Sequence, residues 1–344
     1  MSETSCYILD NGAYTAKVGF SNTEVKVVPN CIMKAKSERR RPFVASQIDE
    51  CRDASGLFYI LPFQKGFLIN WDTQKTVWDY IFSKECCPVN FSETPLIITE
   101  PIFNFSSIQE AMTEIFFEEY ECQSLLRINA TDLAEYNYRK NYNNECMLVV
   151  DSGYSFTYIV PYIKGKKYKD GIRRIDVGGS SNTIVKDYVL PDYTTLRRGY
   201  LRDIVKPDED LEQQTLRLNN ERFSIPELLF RPSDVGIPQM GIPEAIIHSI
   251  DSCPEENKES LLENIVLYGG STLFPGFRDR VYNEVRSLAL DHFDVNVTLP
   301  DNPITYAWEG GKLLFRDPDF YSFCVTKEEY EEEGKALAFE RFDI

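Results

Sequence analysis

Two stretches of this chain, residues 7–20 and 147–160, are laid out alike. In each, an apolar run climbs to an aspartate (Asp10, Asp151), passes one polar residue (Asn11, Ser152) and turns at a glycine (Gly12, Gly153). The chain then returns as alternating small, polar and apolar residues. An apolar run, a glycine turn and a period-two return predict a strand, a tight turn and a second strand. Two such hairpins far apart in one chain predict a duplicated fold with two facing loops.

The 344 residues suffice for two domains of ordinary size, and 43% hydrophobic content is enough to fill their cores. A net charge of -17 argues against sequence-independent nucleic-acid binding, which needs a basic surface. It suits contact with basic proteins such as histones. The nine cysteines form no C-x-x-C pair, and the two histidines, His248 and His292, are far apart. A structural zinc site is therefore not expected, and the odd, unpatterned cysteine count fits reduced thiols of the cytosol or nucleus. The polar start of the chain predicts no signal peptide, and no apolar run reaches membrane-spanning length.

Taken in order, residues 22–53 are polar and hold the basic cluster Lys34, Lys36, Arg39, Arg40 and Arg41. A solvated loop is the simpler reading; contact with phosphate, DNA or an acidic partner is the sharper one. Residues 56–71 read as strand rich in aromatics. Residues 72–82 place Val77, Trp78, Tyr80 and Ile81 at helical spacing, with Asp72 as the cap. Residues 94–101 form a short buried strand ended by Pro101. Residues 106–120 predict an amphipathic helix with Ile108, Met112, Ile115 and Phe116 on one side. A buried strand at 125–128 runs into Asn129, and 164–169 is a basic hairpin tip. Residues 174–179 run as a strand into Gly178 and Gly179. A helix is expected there, yet residues 187–192 read as another strand and turn. Residues 221–230 read as a strand-to-helix passage. Pro243 opens a helix. Residues 264–276 are a third strand-to-glycine passage, followed by a helix at 277–288. Trp308 precedes a glycine pair at Gly310 and Gly311, and residues 326–334 form a capped acidic helix.

Glycines let backbone amides approach an anion closely, and a helix start adds favourable partial charge. The loops at residues 10–14, 151–155 and 269–272 therefore make a candidate phosphate cleft, with Lys17 as a point charge. Asp10 and Asp151 stand where a magnesium ion and its waters need oxygen neighbours. No Walker A and no G-x-G-x-x-G pattern is present, which excludes a P-loop or dinucleotide site.

Together these residues resemble the actin superfamily. The loops at Asp10-Asn11-Gly12 and Asp151-Ser152-Gly153 look like its two phosphate loops. The run from Asn220, Glu221, Arg222 and Phe223 through Pro226, Glu227, Leu229, Phe230 and Pro232 is similar to a stretch of the same family. So are Gly269-Gly270-Ser271-Thr272 with Pro275-Gly276, Trp308 with Gly310-Gly311, and Thr326-Lys327 with Tyr330 and Gly334. The resemblance implies an α/β, duplicated ribonuclease-H-like fold shared with hexokinases and heat-shock ATPases. It divides the chain into subdomain 1 (residues 1–21, 57–147 and 300–344) and a short subdomain 2 (22–56). Subdomain 3 takes residues 148–179 and 219–299, and residues 180–218 are a remnant of subdomain 4. It implies ATP or ADP with magnesium as candidate ligands. Their binding residues would be Asn11, Gly12, Ala13, Tyr14 and Lys17; Gly153, Tyr154 and Ser155; and Gly269, Gly270, Ser271, Leu273 and Phe274. Asp10 and Asp151 would hold the metal through water.

Residues 56–66, 103–110, 151–157 and the final Phe342-Asp343-Ile344 resemble a nuclear class within that family. For such a class the resemblance implies a structural subunit of an SWR-type chromatin remodeller, which exchanges ordinary histone for the Z variant, and a link to heterochromatin. The implied partners are a zinc-finger HIT-type subunit and the remodelling ATPase, with nucleosome or histones reached indirectly. The implied place is the nucleus, with some cytoplasmic protein.

The departures from the family matter as much. After Gly179, several dozen residues of the fourth subdomain have no counterpart, including a helix that lines the adenine and ribose pocket. Either the protein dispenses with them or the sequence joins segments across a gap. Tyr154 and Ser155 replace an Asp and a Gly. Asn129 stands for a water-positioning Gln, and Tyr158 for the His that acts with it. Hydrolysis is therefore expected to be slow or absent, since positioning of the attacking water is lost. The short second subdomain lacks the polymerisation loop, so filaments are not expected. The alternatives are an active actin-like ATPase and a cytoskeletal actin-related protein. A sugar kinase would need a catalytic aspartate base, for which no candidate presents itself.

Overall fold

The computed structural model describes residues 5–35, 41–51, 57–176, 186–189, 200–202, 215–218 and 221–342. Several sequence readings lie outside these residues: Lys36, Arg39 and Arg40 of the basic cluster, Gly178 and Gly179, Asn220, Asp343, Ile344 and most of 180–218.

Both predicted hairpins form. Strands Tyr7–Asn11 and Thr15–Phe20 pair antiparallel with Asp10 opposite Lys17. Strands Cys146–Ser152 and Thr157–Ile163 pair antiparallel with Asp151 opposite Tyr158. Each hairpin is the seed of a sheet with the same order. In the first, Lys26–Pro29 pairs antiparallel with the return strand, while Leu96–Glu100 and then Ser124–Asn129 add in parallel on the other side. In the second, Arg173–Ile175 pairs with the return strand, while Ile265–Tyr268 and then Val297–Thr298 add in parallel. Counted over these five strands, both sheets read third, second, first, fourth, fifth; Val325–Thr326 adds a sixth strand to the first sheet, and Lys166–Lys167 also pairs with the return strand of the second. The duplication expected from the hairpins thus extends to whole sheets, as the actin-type α/β fold requires.

The strands adjoining the glycine turns are apolar on both faces because both faces are covered. Val149 and Val160 face the central core, whereas their neighbours Leu148, Val150 and Ile159 pack into a second core. Helices Ile242–Asp251 and Phe277–Leu288 contribute Ile246, Ile250, Val281 and Val285 to that second core. Two helices, Ala130–Tyr142 and Tyr306–Phe315, pack against each other in the central core. Gly310 makes their crossing possible: a Cβ there would lie 1.9 Å from the Leu133 carbonyl oxygen. Trp308 Nε1 donates to Ile8 O at 3.0 Å and Asn137 Nδ2 donates to Tyr306 O at 2.9 Å, tying both helices to the frame.

Several local readings change. The helix expected at 72–82 starts at Trp71, and its cap is Asn70, whose Oδ1 accepts from Thr73 N; Asp72 sits in the first turn instead. The helix from Ser106 keeps α geometry to Glu114 and then widens into a π turn over Ile115–Glu119. Residues 221–230 are helical throughout, with Pro226 inside, and no strand precedes them within that span. The polar segment 22–53 is more structured than a loop. It contributes strands Lys26–Pro29, Ile32–Ala35 and Pro42–Val44, with Cys31, Met33 and Phe43 as a small core of their own. Of the basic cluster, Lys34 and Arg41 are exposed, and Arg41 pairs with Glu50.

Candidate functional site

The two glycine turns meet at a cleft of about 570 Å³ between the sheets. Each turn is set at the end of a strand whose parallel neighbour also ends there, the usual place for a ligand in an α/β sheet. Gly12 is needed by the first turn: a Cβ would sit 2.6 Å from Thr15 O and 3.2 Å from Lys17 Nζ. Gly269 (φ +100°) is needed by the third loop, because a Cβ would lie 2.4 Å from Ser152 O. That close approach lets Ser271 Oγ donate to Gly153 O at 3.0 Å, so the second and third loops form one wall.

Asp10 is the centre of the opposite wall. Its Oδ2 lies 3.1 Å from Lys17 Nζ, and its Oδ1 accepts from Thr99 Oγ1 at 2.8 Å. Thr99 Oγ1 in turn accepts from Asn11 N at 2.9 Å. The hairpin register that sets Asp10 opposite Lys17 explains the pairing: both side chains project from the same face. Lys17 is thus held at the cleft by the Asp10 carboxylate. Asn11 Oδ1 accepts from Asn30 Nδ2 at 3.2 Å and from Trp78 Nε1 at 3.4 Å, which fixes its amide. Asp151 carries a carboxyl pushed up to about 7, chiefly by burial and further by the charge of Asp10, against the opposing effects of the Tyr268 phenol and Lys17. A carboxylate in that range binds a cation only by giving up a proton.

The lining fits a polar, anionic ligand with a cation. Asn11 Nδ2 and Thr131 Oγ1 are buried on the cleft wall and meet no partner among the described residues. Such atoms are satisfied in folded proteins, by protein, water or ligand. Asn11, Gly12, Ala13, Tyr14, Lys17, Gly153, Tyr154, Ser155, Gly269, Gly270, Ser271 and Leu273 all line the cleft, as do Asp10 and Asp151. Phe274 does not. It packs on the second core beside Phe277, at 6.5 Å between ring centres, because the chain turns away after Leu273.

Two positions expected to bear on hydrolysis are committed elsewhere. The Asn129 side chain is absent from the described lining; its Nδ2 donates to Glu100 O at 3.2 Å and its Oδ1 accepts from Lys167 Nζ at 2.5 Å. Tyr158 lines the cleft with its ring, but its hydroxyl donates to Ile102 O at 2.8 Å and is approached by Arg174 Nη1 at 3.3 Å. Neither presents a free polar group to a reacting water. Sequence reasoning missed Thr99 and Tyr268. Both stand at or near the cleft end of a strand that pairs in parallel with an aspartate-bearing one, and that pairing joins residues distant in sequence.

A family profile described as "Actin" matches residues 1–181 and 180–343 of the chain. Actin-related protein 6 of Drosophila melanogaster is 46% identical over 385 aligned positions, which cover 95% of this chain and 97% of that protein. Actin-related protein 6 of Arabidopsis thaliana is 31% identical over 97% of this chain and 98% of its own. Actin-related protein 6 of Neurospora crassa is 32% identical, with 98% and 94% covered. The 385 aligned positions exceed the 344 residues of the chain, so the fly protein carries residues with no counterpart here. The two parts of the family match meet at 180–181, just after Gly178 and Gly179.

Proposed function

We propose, on the premise that this chain belongs to the actin family and is an actin-related protein of the type of these relatives, that it is a non-catalytic structural subunit of a nuclear SWR-type chromatin remodeller. In this reading the protein contributes surface rather than turnover to the exchange of ordinary histone for the Z variant. Its direct partners are a zinc-finger HIT-type subunit and the remodelling ATPase. The observation that carries the reading is the 46% identity to actin-related protein 6 across 95% of the chain. The net charge of -17 supports work beside basic histones rather than direct grip on DNA.

Nucleotide, in this reading, is held structurally. Gly12, Lys17 and Asn11 would face the phosphates from one side, Gly153 and Ser155 from the other, and Gly269, Gly270 and Leu273 the base. Asp10 and Asp151 would hold the metal through water. A bound magnesium nucleotide would supply the negative charge and cation that the two unpartnered buried atoms and the two carboxylates call for. In this reading the chain's own residues bind and orient it, and the two positions expected to handle an attacking water, Asn129 and Tyr158, are instead bonded to Glu100 O, Lys167 Nζ and Ile102 O.

Affinity purification of the tagged protein from nuclear extract, with identification of what co-purifies, tests the assembly. Remodeller subunits are expected. Recovery without them, or as long filaments, overturns the reading in favour of a cytoskeletal actin-related protein. Denaturing the purified protein and assaying released ATP and ADP tests the structural nucleotide separately.

A further inference from the structure

The two lobes, each built on one of the sheets, also touch each other directly across the cleft through side chains. From the first lobe comes the short hairpin of Phe63–Gln64 and Phe67–Leu68. It turns at Lys65 (φ +49°) and Gly66 (φ +78°), the left-handed pair of a two-residue turn. From the second lobe come Phe156 and, on the strand beside it, Arg174. The Phe156 ring lies directly on the turn, so that a Cβ at Gly66 would fall 1.7 Å from its Cε1. The Arg174 guanidinium lies 4.9 Å from the ring centres of both Phe67 and Phe156, one ring from each lobe. Its Nη2 donates to Lys65 O at 3.1 Å, across the divide. A second bridge joins the two glycine loops themselves. Tyr14 and Tyr154 stack with ring centres 5.0 Å apart and planes 18° apart, although each ring is more than half exposed.

We propose that these two bridges latch the lobes shut, so that closure of the cleft does not depend on a bound ligand. In a two-lobed protein, a ligand shifts the open–closed balance only by the contacts it makes better in the closed state. Here the chain makes such contacts itself. Aromatic stacking and a cation between two rings each favour closure. Opening would also strip Arg174 of the Lys65 carbonyl and of one ring at once. The proposal stands apart from the nucleotide reading: it predicts the same closed state with or without nucleotide.

Hydrogen exchange on the full chain tests it, read at the amides of residues 10–17 and 151–157 with no nucleotide and with magnesium-ATP. The latch predicts that both loops are already protected without nucleotide, with further protection only at amides that a bound phosphate touches directly. In the variant Y154A/R174Q, exchange at both loops should rise about tenfold, the loss of roughly one stacking and one cation contact. The buried strand Leu96–Glu100 should stay protected. If the double variant unfolds globally, as exchange in that strand would reveal, the single variant Y154A carries the same reading, because its ring is largely exposed. Loops that exchange freely until magnesium-ATP is added overturn the proposal. So do loops in a folded variant that remain as protected as in the wild type. Failure to bind magnesium-ATP at all leaves the expected protection in place and counts only against the nucleotide reading.

Discussion

Asp10 has two jobs that pull in different directions. As the proposed water-mediated metal neighbour it would face the cleft; as the partner of Lys17 and Thr99 it holds the first turn together. The pair is largely buried, with side-chain exposures of 15% for Lys17 and 9% for Asp10. Removing one partner of such a pair strands the other without compensation. Asp10→Ala should therefore cost about 3 kcal/mol of folding stability even without ligand. Urea unfolding measures this, and a midpoint equal to the wild type would deny Asp10 its structural role. Asp151 gives a pH signature of opposite sign to most carboxylates. Its folded-state value of about 7 lies above the ordinary aspartate value, so the folded protein binds a proton that the unfolded chain has released. Its contribution to stability is complete below about pH 4 and is lost as pH rises toward 7. Asp151→Asn removes that slope. Melting temperatures of ligand-free wild type and variant should diverge between pH 5 and 7.5, with the variant gaining; parallel profiles would contradict the assignment.

At the scale of elements, what could be read in advance was what is local. A hairpin and its turn lie within some fourteen residues, so Asp10-Asn11-Gly12 and Asp151-Ser152-Gly153 announced themselves by period-two alternation and a glycine. The parallel strands beside them were legible as runs at 94–101 and 264–276, but not the pairings, distant in sequence, that bring Thr99 and Tyr268 to the cleft. Caps show the same limit at small scale. Asn70 and Asp72 are both competent, and backbone geometry chose the one whose oxygen meets Thr73 N. Strands of segment 22–53 were hidden by their polar, half-exposed pattern, in which Met33 and Phe43 are buried beside charged neighbours. The glycine pair at Gly310 and Gly311 was legible as a motif but not as a packing device. The structure shows Gly310 where the two central helices touch backbone to backbone, and Gly311 against the Ile8 side chain. Gly310→Ala should destabilise by about 3 kcal/mol, at the upper end of overpacking costs, because the clashing atom is the Leu133 carbonyl and cannot rotate away. Thermal unfolding checks this. Gly270→Ala, where a Cβ meets nothing within 4 Å, should melt close to the wild type.

For the molecule as a whole, the duplicated sheets build a cleft between them, and Asn129 and Tyr158, the two positions expected to handle an attacking water, are bonded into the frame. The Asn129 amide bridges Glu100 O and Lys167 Nζ, so its orientation is set from both ends. Tyr158 spends its hydroxyl on Ile102 O and its ring on Phe156 and Arg174. Groups that position an attacking water act as a unit, and restoring one member of a unit recovers little. Tyr158→His alone should therefore leave phosphate release from magnesium-ATP at the uncatalysed rate. Adding Asn129→Gln should help only if Lys167 releases the longer amide. Single-turnover phosphate release on wild type, Y158H and the double variant N129Q/Y158H distinguishes these cases. Turnover at an actin-like rate by the wild-type chain would mean that another residue positions the water, and the reading of this protein as a scaffold with an inert cleft would fall with it.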